Sequence, residues 1–255
     1  MTHMVCIIGT SGGTGASTVT AHLAAARTAR QKNTLALDFC PNNVLRLHFA
    51  MPWKDQTGFA PNLLKDKPWH EAAYCSTDGT SFIPFGQLQN DSELTQVTDM
   101  LTARPKWLSE RLNEIELHPN ALVVCDCPQA FPALHQQAMQ LADLVLIVMT
   151  PDPLSYLHAT HMALASASAG GPKVSILLNE FNPSRDIDRD ILFLLRENFR
   201  AQLAPIVIHQ DESLREAFAY KQTVFDFAPA SQSAYEFQAL ATWVAAHMRK
   251  ARKAT

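Results

Sequence analysis

The chain of 255 residues contains no run of ~18 uninterrupted apolar residues, the length that a membrane-spanning helix needs. Its opening stretch, Met1–Ile8, has too few apolar side chains before the first glycine to read as a secretory signal. Positive charge is not in surplus: the formal net charge is -3, and no basic cluster stands outside the last residues. A nucleic-acid partner is therefore not expected. There is no internal repeat and no Gly- or Ser-rich linker, which argues for one domain over 1–255 and against a string of them. There is no paired cysteine framework. The five cysteines, Cys6, Cys40, Cys75, Cys125 and Cys127, are odd in number and scattered, and read as free thiols in a reducing cytosol. Cys125 and Cys127 alternate along one apolar run without a second pair, which is poor zinc spacing.

What remains is a globular composition, 47% hydrophobic and 18% charged. Short apolar runs at Val5–Ile8, Leu35–Leu37, Leu122–Cys125, Leu144–Met149, Val174–Leu178 and Ile206–Ile208 have the length of buried strands. Between them, the spacing predicts helices over Val19–Ala29, Trp107–Ile115, Leu154–Ala167 and Ile191–Phe199. Strands alternating with helices imply an α/β fold: a mostly parallel, twisted sheet with helices on both faces and right-handed crossovers. Met51–Thr80 is the least regular stretch, with Pro52, Pro61 and Pro68 among Trp53, Phe59 and Trp69. It reads as a lobe on the sheet whose aromatics look exposed. That lobe and the helix around Arg189–Arg200 are the expected contact surfaces. A last helix is expected over about 232–253, with Leu240, Trp243, Val244, His247 and Met248 on one face and Arg249, Lys250, Arg252 and Lys253 at its end. Either it packs on the sheet with a solvated basic end, or its apolar face touches a membrane.

The stretch GTSGGTGASTVTAHLA, residues 9 to 24, follows the first strand and opens a helix at about Ser17. Strand, glycine loop and helix is the setting of a phosphate-binding loop. Its glycines let the backbone approach a ligand, its N–H groups converge, and the helix terminus adds partial positive charge. Ser17 and Thr18 stand where hydroxyls meet a magnesium ion and a phosphate. The lysine that normally precedes them is missing, and Ala16 takes its position. The plainer alternative is a glycine turn with no ligand. At the end of a later apolar run, Asp126 faces the crevice of an open α/β sheet, where it either holds magnesium's waters or caps the next helix.

Ser11-Gly12-Gly13-Thr14-Gly15-Ala16-Ser17-Thr18 resembles the deviant Walker A loop of MinD- and ParA-like ATPases, with Ser11 and Ala16 replacing both lysines. The resemblance implies a P-loop NTPase fold and an ATP and Mg2+ site in which Ser11–Thr18 hold phosphate. Ser17, Asp38 and Asp126 would serve the metal, since Leu122–Pro128 resembles the hhhhDxP strand. Cys40 falls where the family carries the water-positioning aspartate, and a neutral thiol is a poor acceptor for a water proton. No catalytic residue is therefore assigned. Thr150-Pro151-Asp152-Pro153 matches a structural turn of the family. Asn179, Ile208, His209 and Asp211 fall where the family contacts adenine. From the residues alone, Asn179 serves equally as a turn residue and His209 as an exposed loop histidine. In the family the first loop lysine, at the position of Ser11, crosses a two-fold interface to the partner's nucleotide, which implies a homodimer through the nucleotide face.

Three further segments, Cys40–Phe49, Ile83–Leu88 and Ile208–Phe227, are similar to the MinD-like accessory proteins of bacterial cellulose biosynthesis. That narrower resemblance implies a cytoplasmic ATP-dependent clamp recruited peripherally to the inner membrane. Its partners would be a small accessory protein and the cytosolic face of the cellulose synthase complex. Two activities are compatible with it. One is a scaffold with weak or absent hydrolysis. The other is a partner-stimulated, positioning ATPase in which a residue such as Arg46 reaches the phosphates in place of the lysine.

Overall fold

The structure is a computed structural model that describes residues 3–118, 120–128, 131–165 and 171–251, with side chains as far as Met248. The chain runs through β1 (His3–Gly9), α1 (Ala16–Thr28) and β2 (Thr34–Asp38), then a 3-10 turn at Leu45–Phe49. The lobe follows, with α2 (Phe59–Leu64), a second 3-10 turn at Trp69–Ala72, β3 (Tyr74–Cys75) and β4 (Ser81–Ile83). Next come α3 (Asp91–Thr102), α4 (Trp107–Asn113), β5 (Leu122–Asp126), α5 (Pro132–Leu141), β6 (Leu144–Met149) and α6 (Pro153–Ala165). The final part holds β7 (Lys173–Phe181), α7 (Asp186–Asn198), β8 (Leu203–His209), α8 (Glu212–Ala219), α9 (Val224–Phe227) and α10 (Gln232–Ala251). The ends expected for two helices, Ser166–Ala167 and Arg252–Lys253, lie outside the described residues.

The strands form one eight-stranded sheet in the order β3-β4-β2-β5-β1-β6-β7-β8. Every described pairing is parallel except the short β3–β4 edge. β1 lies in the middle, and the chain leaves it for β2 on one side and later crosses it from β5 to β6. That change of direction opens a crevice at the carboxyl ends of the strands, where such sheets bind ligands. Residues of β1 alternate between two cores. Met4, Cys6 and Ile8 face one that includes Phe39, Phe85, Trp107 and Leu134. Val5 and Ile7 face the other, built with Val19 and Leu23 of α1 and Phe237, Leu240 and Val244 of α10. Burying each of these large side chains is worth ~1.5–3 kcal/mol, so both faces hold β1 and the loop after it in place.

Two expectations need correction or sharpening. Of the lobe aromatics Trp53, Phe59 and Trp69, Trp53 is open to solvent, at 65% exposure, whereas Phe59 and Trp69 are buried. Phe59 meets Phe39 edge-on at 5.9 Å and Trp69 meets Trp107 at 5.7 Å. The prolines break regular structure there, but the aromatics still cover the outer part of the sheet. For the last helix, Ala234, Phe237, Leu240, Ala241, Val244 and Met248 are buried, and α10 packs against α1 and β8. Its apolar face is used inside the fold through Met248. The side chains of Arg249, Lys250, Arg252 and Lys253 lie outside the described residues. Among the described residues, no helix is long and apolar enough to cross a membrane.

Candidate functional site

The glycine loop leaves β1 at Gly9 and closes where α1 starts, with Gly15 at the helix N-cap in left-handed conformation, φ 87° and ψ 18°. Neighbouring elements fix it. The Thr10 N–H donates to Val148 O at 2.9 Å, and its hydroxyl donates to Ser155 Oγ at 3.2 Å. The Thr14 hydroxyl donates to Ser11 O at 3.1 Å, and Asn179 Nδ2 donates to Thr14 O at 2.8 Å. A Cβ on Gly15 would sit 2.4 Å from Asn179 Nδ2, while one on Gly12 or Gly13 would meet nothing within 4 Å. The loop is thus packed on its inner side and open on its outer side. No side chain caps the start of α1, so the first helical N–H groups lack an intrahelical partner and point out of the terminus.

That open side forms a cavity of about 540 Å3, lined by the whole of Ser11–Thr18 together with Cys40, His48, Asp126, Glu180 and Phe218 among others. Among the described residues, neither a lysine nor an arginine lines it. Register pairs Asp38 with Asp126 at the ends of β2 and β5, which sets two buried carboxylates side by side. Asp38 Oδ1 accepts from the Cys40 N–H at 2.9 Å. Asp38 Oδ2 and Asp126 Oδ2 are buried without a hydrogen-bond partner. Asp38, Cys40 and Asp126 each offer a ligand atom, and the three atoms lie within 4.8 Å of one another. Burial, followed by the charge of Asp126, pushes the Asp38 carboxyl well above its ordinary range. Burial raises Asp126 to about 6, against the opposing pull of Ser17 and Cys40. Burial and the two carboxylates push the Cys40 thiol up, so it stays neutral.

A smaller cavity of about 120 Å3 adjoins the first, sharing Gly15, Thr18, Glu180 and Phe218 with it. Asn179, His209 and Asp211 all line this second space. Ile208 does not: it is fully buried in the core with Phe237. His209 is tied through its N–H and its Nδ1 to Glu236. Asp211 caps α8 by accepting from the Ser213 N–H at 2.9 Å, and its other oxygen takes the Ser233 N–H at 3.1 Å. Thr150 and Asp152 form the turn that starts α6, where Asp152 accepts from the Ser155 N–H at 2.9 Å.

Arg46 is not brought to the loop. It is buried, at 6% exposure, and its guanidinium is used on main-chain carbonyls. Nε donates to Asn43 O at 3.2 Å, Nη1 to Pro52 O and Asp55 O at 3.0 Å each, and Nη2 to Trp53 O at 3.3 Å. The guanidinium also lies 5.7 Å from the Trp53 ring centre. It holds the start of the lobe, not the cavity wall. Among the wall residues that escaped the sequence reading are His48, Glu180 and Phe218. Glu180 has a positive φ of 56°, which is uncommon for a non-glycine residue, and it directly follows Asn179. His48 packs edge-on against His22 at 5.6 Å and at a tilt against Phe218 at 4.7 Å. His22 in turn sits 2.7 Å from Thr18 O through Nδ1 and accepts the Val224 N–H at 3.0 Å. These rings join the loop helix to α8 and α9.

The profile of the family described as "Cellulose biosynthesis protein BcsQ" matches residues 1–245. A relative of that name from Escherichia coli (strain K12) is 28% identical over 243 residues, covering 92% of this chain and 91% of that protein. Among solved structures, the cell division ATPase MinD of Pyrococcus furiosus superposes with a TM-score of 0.76 at 21% identity, covering 96% of this chain and 98% of that one. The septum site-determining protein MinD of Pyrococcus horikoshii OT3, complexed with Mg-ADP, gives 0.74 at 20% identity and 96% coverage of both chains. The fold is therefore that of the MinD- and ParA-type P-loop NTPases.

Proposed function

The chain belongs to the family of cellulose biosynthesis protein BcsQ, and from that membership we propose that it binds ATP with Mg2+ and acts as a nucleotide-dependent scaffold of cellulose secretion with little or no hydrolysis. The observation that carries this reading is the glycine loop itself. Its outer face is free of side-chain obstruction at Gly12 and Gly13, and uncapped helical N–H groups open onto a cavity of about 540 Å3. Main-chain amides and a helix terminus bind phosphate without any lysine.

The residues present fit the group. Ser11–Thr18 would hold phosphate, and Ser17 with Asp38 and Asp126 would hold magnesium and its waters. The two unpartnered carboxylate oxygens call for a cation, and the metal ion, when bound, would neutralise phosphate charge and stabilise that pair. Asn179, His209 and Asp211 border the space suited to the base. Asn179 has its amide oxygen left to receive a base N–H, since its Nδ2 is given to Thr14 O.

Weak hydrolysis follows from what the wall lacks. Phosphoryl transfer depends on positioned positive charge and an oriented water. Among the described residues no lysine or arginine lines the cavity, and the thiol of Cys40 stands where an acceptor for the water would be. Ser11 is exposed at the loop's outer edge, which suits a two-fold clamp of two copies meeting through the nucleotide face. We read the whole chain, 1–255, as one P-loop NTPase-like unit. Its place would be the cytoplasm, recruited peripherally through a small accessory protein and the cytosolic face of the inner-membrane synthase complex. Denaturing the purified protein and identifying what it releases tests occupancy, and a turnover assay tests the scaffold. Release of ATP with negligible turnover is expected. Turnover like that of a lysine-bearing relative would favour the partner-stimulated ATPase instead.

A further inference from the structure

We propose that Glu180 recognises the sugar of the bound nucleotide, its carboxylate accepting both hydroxyls of a ribose and so selecting ribonucleotides over deoxyribonucleotides. This rests on the ATP-binding reading above and names what that site selects. In any nucleotide the sugar joins the phosphates to the base, so it must lie where the phosphate cavity meets the base cavity. Gly15, Thr18, Glu180 and Phe218 line both spaces. Gly15 has no side chain, and Phe218 offers a ring without a hydrogen-bonding group. Thr18 stands in the first turn of α1, on the phosphate side. Glu180 is the acid of the four, placed where the sugar must pass.

The chain departs from regular strand to put it there. Between β7 and β8, Leu178 pairs with Val207 and Phe181 pairs with His209. The β7 side therefore carries one extra residue, a β-bulge, which re-aims a side chain. Asn179 and Glu180 occupy the bulge, and Glu180 takes the positive φ of 56°, a conformation uncommon outside glycine. Asn179 anchors it by donating Nδ2 to Thr14 O at 2.8 Å. Other polar groups of the smaller cavity are already engaged. His209 is held by Glu236, Asp211 takes the N–H groups of Ser213 and Ser233, and Arg215 pairs with Glu212. Among the described residues no partner engages the half-buried Glu180 carboxylate. Its two oxygens can accept from two vicinal hydroxyls, and hydrogen bonds to an ionised acceptor are about twice as strong as neutral ones. A deoxy sugar would forfeit one of them.

The test titrates the nucleotide-free full chain, in the presence of Mg2+, with ATP, 2′-deoxy-ATP and 3′-deoxy-ATP. The wild type should bind ATP about tenfold or more tightly than either deoxy form, the effect of one charge-assisted hydrogen bond. Glu180→Gly and Glu180→Asn both suit a positive φ, and each should bring the three affinities within about twofold of one another. A merely structural role for Glu180 would weaken all three nucleotides together and leave their ratios unchanged. Equal wild-type affinity for ATP and both deoxy forms, or discrimination that survives either substitution, would overturn the proposal while leaving ATP binding in place. A wild type silent to all three nucleotides would overturn the binding reading, and the proposal with it.

Discussion

Replacing Gly15 by alanine asks two separate things of the loop. The backbone must hold a methyl-bearing residue at φ +87°, which costs ~1–2 kcal/mol in the left-handed region. The new Cβ must also find room 2.4 Å from Asn179 Nδ2. Asn179 is 4% exposed, so moving it breaks its bond to Thr14 O and orphans a buried amide, a further ~1–3 kcal/mol. The sum is about 2–5 kcal/mol of lost stability. The second part disappears when Asn179 is already alanine. In a double-mutant cycle, Gly15→Ala therefore costs about 1–3 kcal/mol less in the Asn179→Ala background than alone. Urea unfolding with an unchanged slope reads these differences as midpoint shifts. Gly13→Ala provides the contrast. Its φ is also +87°, but nothing lies within 4 Å of the added methyl, so only the backbone cost of ~1–2 kcal/mol remains. Additivity of Gly15→Ala and Asn179→Ala within about 0.5 kcal/mol, the range found for independent sites, would refute the packing described between the loop and β7.

Two other predictions concern charge. Arg46→Lys removes a planar fork that serves four carbonyls and supplies a single ammonium. A stability loss of about 2–4 kcal/mol is expected from urea midpoints, and a loss under 0.5 would show that the fork is dispensable. Asp126→Asn tests the paired carboxylates through pH. The folded state holds the Asp126 proton up to about pH 6, whereas the unfolded chain releases it near 3.8. The stability this provides is present below 3.8 and is lost as pH rises through about 6. The asparagine variant, free of nucleotide and metal, should thus exceed wild type by up to about 3 kcal/mol at pH 8 and match it near pH 4. A variant-minus-wild-type difference that ignores pH would contradict the assignment. His22 acts in the opposite sense: burial lowers it to about 4 from 6.5, so it weakens the fold as pH falls through that interval, equally in both proteins.

The centre of the sheet was readable because its strands are continuous apolar runs, each ending in chemistry. Val5–Ile8 ends in the glycine loop and Leu122–Cys125 ends in Asp126. Both appear within a few residues of their observed bounds. The β3–β4 edge was not readable, since strands of two and three residues in a proline-broken segment carry no period. Nor was α3, which buries only Val97 and Leu101 and so shows almost no apolar face. Its start did leave a signal, because Asn90 accepts the Glu93 N–H while Glu93 Oε2 takes the Gln89 N–H, a capping arrangement. Arg46 lies close to Asp38 in sequence, but the fold-back of residues 52–55 captures its guanidinium. His48, Glu180 and Phe218 reach the cavity only because separate elements converge there, and no local pattern marks such convergence.

The proposed function requires backbone amides to hold a polyphosphate in a cavity that no lysine or arginine among the described residues lines. Calorimetric titration of nucleotide-free protein with MgATP, beside the Ala16→Lys variant, tests this most directly. One site per chain is expected in the wild type, tightened about tenfold or more by the added charge, since charge-assisted hydrogen bonds contribute ~1.5–3 kcal/mol. A silent wild type with binding created only by Ala16→Lys would contradict it.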